Sequence, residues 1–81
     1  MTEKLIDLIR RSRTTAEEAM NPSIEFIVET QELAKEFNTI CDKKEMLSSD
    51  EREKLESAYF RIRSRLKLAK IEGLVLLDPN A

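Results

Sequence analysis

An all-α fold is predicted: three helices in an elongated antiparallel hairpin or bundle, followed by a short apolar C-terminal tail. Three observations carry that expectation. Apolar residues recur at spacings of three and four in three long segments, the period of a helix with one buried stripe. Each segment is bracketed by residues that start or stop helices. One glycine and two prolines in 81 residues leave too few turn formers for a β architecture. The whole chain, 1–81, reads as a single helical domain, with helices over about 2–20, 22–43 and 49–72 and a tail over 73–81.

In the first segment Leu5, Leu8, Ile9, Ser12, Ala16, Ala19 and Met20 fall on one stripe, and Thr2 can cap its start. Thr14 and Thr15 interrupt it, because both are β-branched and Thr15 with Glu18 reads as a capping box. A continuous helix to Met20 is the expectation, with a kink or a restart at Thr15 as the alternative. Asn21-Pro22 then punctuates the chain. Proline disfavours helical geometry in the residue before it and suits the first position of a new helix, so Asn21 is the expected N-cap and Pro22 the opening residue.

The second helix places Phe26, Leu33, Phe37 and Ile40 on its stripe, widened by Ile27, Ala34 and Cys41, with Glu25, Glu29, Glu32 and Glu36 on the wetter side. Lys43 and Lys44 complement the negative end of its dipole. Ser48 with Glu51 forms another capping box, and Leu55, Ala58, Tyr59, Ile62, Leu66 and Ala69 make the third stripe. Gly73 is the expected left-handed stop. Leu74-Val75-Leu76-Leu77 is a run of four apolar residues at a polar terminus. It either folds back over the core or docks on a partner chain.

Helices of about 22–25 residues would be roughly 33–37 Å long, longer than the roughly 30 Å sphere that a chain of this size fills. An elongated hairpin accommodates them but has a thin core. A second copy of the chain, or another helical protein, is therefore the expected remedy.

Composition excludes several chemistries. There is no histidine, and the lone Cys41 has neither a disulfide partner within the chain nor a CxxC neighbour for zinc. No catalytic or phosphate-loop motif is present, and Cys41 on an apolar stripe reads as a small buried hydrophobe. No catalytic residue, metal or cofactor is expected. No apolar run approaches a membrane span and the N-terminus is not a signal peptide, so a soluble, cytoplasmic protein is the expectation.

Two surfaces are candidates for binding. Phe60, Leu68 and Ile71 lie on the far side of the third helix, close in sequence to Leu74, Val75, Leu76 and Leu77. Together these seven form a candidate partner-binding patch. Arg61, Arg63, Arg65, Lys67 and Lys70 form a basic cluster without an acid between Ser57 and Ile71. Cations at a helix C-terminus are also explained by the dipole alone, as a solvated face.

Thr30-Gln31-Glu32-Leu33-Ala34 resembles the Ser-Gln-Glu-Leu-Asp signature of the Spo0E-like aspartyl-phosphate phosphatases, short helical hairpins that act on response regulators. Ala34 stands where that signature has its acidic residue, so no phosphatase activity is carried over. The expectation is a small non-enzymatic helical regulator or chaperone-like adaptor that binds a protein, itself included as a homodimer. The alternative is a dimeric nucleic-acid-binding regulator that uses the basic half of helix three.

Overall fold

The computed structural model of the protein describes residues 2–81. Four α-helices form: α1 (Thr2–Arg11), α2 (Ala16–Met20), α3 (Ile24–Cys41) and α4 (Ser49–Leu68), with a 3₁₀ turn at Lys44–Met46 and no strand among the described residues. The long elements are therefore 18 and 20 residues. They fit within a body of 37 × 24 × 16 Å and radius of gyration 12.3 Å. Shorter helices remove the argument from length for a second copy.

The first segment is not continuous. Leu5 and Leu8 are buried as the stripe requires, but the helix stops at Arg11. Ser12 is itself buried, and its hydroxyl donates to the Ile9 carbonyl at 2.8 Å. The chain restarts where Thr15 caps α2, with Glu18 N–H donating to Thr15 Oγ1 and Thr15 N–H to Glu18 Oε1. The physical reason is that a donor is available for the frayed end. Arg65 Nη1 donates to the carbonyls of Arg13 at 2.9 Å and Arg11 at 3.4 Å. Those are carbonyls of the kind a helix end leaves orphaned. Ala16, Ala19 and Met20 are consequently exposed rather than part of the stripe.

At the next boundary Asn21 caps the C-terminus of α2, and Ser23, not Asn21, caps α3 by accepting the Phe26 N–H at 3.1 Å. Pro22 thus sits before the cap instead of inside the helix. The Ser48–Glu51 capping box forms as its spacing predicts, with bonds of 3.0 and 3.2 Å. Glu51 also accepts the Thr2 hydroxyl at 3.0 Å, which places the starts of α1 and α4 together. Arg11 pairs with Glu36 at 2.9 Å and with Asp7 at 3.2 Å. These links, with Arg65 reaching Phe26 and Thr30, tie α1, α3 and α4 to one another.

The core joins Leu5, Leu8, Leu33, Ala34, Phe37, Ile40, Cys41, Leu47, Leu55, Ala58 and Ile62, with Tyr59, Leu66, Leu74 and Leu76 packed against it. α4 ends earlier than Gly73. Ala69 is its C-cap, and Lys70 takes the left-handed conformation at φ 54°. Ile71 N–H donates to the Leu66 carbonyl at 3.1 Å and Lys70 N–H to the Lys67 carbonyl at 3.2 Å. That pair of bonds is a Schellman closure with a lysine in the glycine position. Gly73, at φ 83°, turns the chain into the tail instead.

Candidate interaction surfaces

The tail runs alongside α3 in an extended course, so successive side chains alternate in direction. Leu74 and Leu76 turn inward onto the core, whereas Val75 is 74% exposed and Leu77 36%. Two side chains, Asn38 and Lys44, hold the tail backbone. Asn38 Nδ2 donates to the Val75 carbonyl at 2.8 Å, and Leu77 N–H donates to Asn38 Oδ1 at 2.9 Å. Lys44 Nζ donates to the carbonyls of Pro79 and Ala81 at 3.3 and 2.6 Å. Fold-back and outward presentation are thus both built into one segment, on opposite sides.

Of the seven residues expected in the apolar patch, the structure leaves three outward: Phe60, Val75 and Leu77. Leu68 and Ile71 are half-buried, and Ile71 lies beyond the end of α4. Phe60 is 54% exposed and meets Tyr59 edge-on, ring centroids 5.4 Å apart. A separate set of exposed apolars, Met20, Ile24 and Val28, lies around the α2–α3 junction.

The basic cluster divides. Arg65 is only 1% exposed and belongs to the core. Its Nε donates to Thr30 Oγ1 at 2.9 Å, its Nη1 reaches the Arg11 and Arg13 carbonyls, and its Nη2 reaches the Phe26 carbonyl and Glu29 Oε1. Five bonds match the five N–H donors of a guanidinium. Its carbon centre lies 4.0 Å from the centroid of the Phe26 ring. No phosphate could reach it. Arg61, Arg63, Lys67 and Lys70 remain exposed. Arg61 and Arg63, two residues apart on a helix, point roughly 160° away from each other. Arg63 and Lys67 share the Phe60 side of α4, and Arg61 faces the end of α1.

Sequence reasoning missed Arg65 because it was counted by charge. Position was the available signal: Arg65 follows Ile62 by three on the α4 stripe, and Thr30 follows Phe26 by four on the α3 stripe. Two polar residues inside two facing apolar stripes call for each other.

Cys41 is buried, and burial raises its thiol pKa above the ordinary value, which leaves the nucleophilic thiolate scarce. Among the described residues no group of His, Cys, Asp or Glu is placed to hold a metal, and no helix is long and apolar enough to cross a membrane. In the Thr30–Ala34 string, Thr30, Leu33 and Ala34 are buried, so an acid at position 34 would point into the core. Comparison with protein-family models, with curated proteins and with solved structures finds no match to this chain.

Proposed function

We propose that this chain is a non-enzymatic, protein-binding helical adaptor or regulator. In this reading α1, α3 and α4 form a three-helix bundle with α3–α4 as its antiparallel hairpin. Phe60 and the outward residues of the tail present an apolar docking face. The observation that carries it is the alternation along Leu74–Leu77: the tail is anchored by Leu74, Leu76 and Asn38, yet spends Val75 and Leu77 on the outside. An anchored segment loses little further conformational entropy when a partner covers its outer side, which favours binding. A second copy of the chain is one candidate occupant of that face, and sedimentation over a concentration series identifies it.

The test substitutes the outward side chains alone. Phe60→Ser combined with Val75→Ser should lower capture of the bound protein at least about tenfold, a 1.4 kcal/mol loss, because aromatic and branched anchors dominate such contacts. The thermal midpoint should stay within a few degrees. Undiminished capture by a folded double variant would remove the face from the proposal. The nucleic-acid reading is left with Arg63, Lys67 and Lys70 as a short row. It predicts binding that weakens steeply with salt and is lost on charge reversal of those three residues.

A further inference from the structure

A shallow groove of about 330 Å³ opens where the end of α1 meets α4, lined by Ser12, Arg13, Thr14, Arg61 and Ser64. Two guanidinium groups and three hydroxyls line it, and no carboxylate does. That composition is unusual in a chain with 16 acidic residues against 14 basic ones. Elsewhere the arginines that matter to the fold are paired: Arg11 with Asp7 and Glu36, Arg65 with Glu29. Among the described residues Arg13 and Arg61 have no acid partner. Arg61 makes a single long contact, Nη1 to the Ile9 carbonyl at 3.4 Å, which lays it over the end of α1. The Ser12 hydroxyl is spent on Ile9, but those of Thr14 and Ser64 bond to no described residue.

The geometry points to an oxyanion site for a phosphate monoester in this groove, independent of the docking face. Arg13 and Arg61 would supply forked, charge-assisted hydrogen bonds to phosphate oxygens, and the free hydroxyls of Thr14 and Ser64 would complete the ring of donors. The loop is already fixed: Arg65 holds the Arg11 and Arg13 carbonyls from behind, so little order has to be imposed on binding. A discrete monoester fits better than a nucleic-acid backbone. Of the other exposed cations of α4, Arg63 points roughly 160° away from Arg61, and neither it nor Lys67 lines the groove.

The experiment is a titration of the intact protein with inorganic phosphate and with glycerol phosphate. It is followed by amide NMR shifts, with sodium chloride at matched ionic strength as reference. Saturable shifts confined to residues 12–14 and 61–64, and larger above pH 7 than at pH 5 as the phosphate gains its second charge, are expected. Arg61→Gln or Arg13→Gln should raise the apparent Kd at least about tenfold. Ser64→Glu, which leaves both arginines in place, should abolish the shifts, and Arg63→Gln should leave them unchanged. Equal shifts with chloride, persistence in Arg61→Gln and Ser64→Glu, or binding of a short oligonucleotide in preference to either phosphate would overturn the assignment.

Discussion

Arg65→Ala is the sharpest perturbation of the fold. The guanidinium is almost fully enclosed, and the substitution removes its five hydrogen bonds and its seat on the Phe26 ring. The losses are not all equal. Glu29 has a side chain 47% exposed and rehydrates, so its half of the ion pair contributes little. The Phe26 carbonyl keeps its bond from the Thr30 hydroxyl at 2.6 Å. What remains uncompensated is the void left by a long buried side chain and the Arg11 and Arg13 carbonyls. Truncating a buried side chain of this size costs about 2–5 kcal/mol, and each carbonyl deprived of its donor adds about 1 kcal/mol. Relief of the desolvation of a buried cation returns part of this, leaving a net loss of roughly 3–4 kcal/mol. For a domain of this length that lowers the midpoint by about 12–30 °C. Urea and thermal unfolding followed by circular dichroism measure it. Arg65→Met, which keeps most of the volume, should lose only about 1–2 kcal/mol. A loss below about 1 kcal/mol for Arg65→Ala would refute the claim that this guanidinium holds α1, α3 and α4 together.

Two further outcomes follow from local geometry. Lys70→Gly relieves a side chain held at φ 54° and should raise stability by about 0.5–1 kcal/mol, a few degrees in a thermal melt. The capping carboxylates set the acid limb. Glu18 and Glu51 are held below the ordinary glutamate value of 4.5, chiefly because the Thr15 and Ser48 amides donate to them. A depressed folded pKa gives stability that is present above 4.5 and is lost as pH falls through and below it. Unfolding free energy should therefore be flat from pH 7 to about 5.5 and decline below, with a shallower decline in Glu51→Gln.

The helical class, the second capping box and most of the core were legible in the chain, because periodicity and caps are local properties. Phe37, Leu55 and Ile62 are buried where their stripes put them. The boundaries that went differently were decided by details finer than periodicity, some local, as with the Ser23 cap, and some tertiary. The break after Arg11 depends on a donor from Arg65, more than fifty residues away. The stop at Ala69 places a lysine in a conformation that favours glycine, which local propensity argues against. The candidate surfaces were half legible for a similar reason. Composition marks Leu74–Leu77 as apolar and residues 61–70 as basic. Only the Asn38 clamp decides which tail side chains turn in, and only burial removes Arg65 from the basic set.

The division of the tail into an anchoring side and a presenting side is the centre of the account, and paired melting curves test it most directly. Leu74→Ser with Leu76→Ser should cost about 2–4 kcal/mol, since each gives up a partly buried apolar side chain, and should lower the midpoint by at least about 10 °C. Val75→Ser changes a side chain that is 74% exposed and should stay within about 0.5 kcal/mol of the parent. Equal midpoints for the two variants, or a larger drop for Val75→Ser, would contradict it.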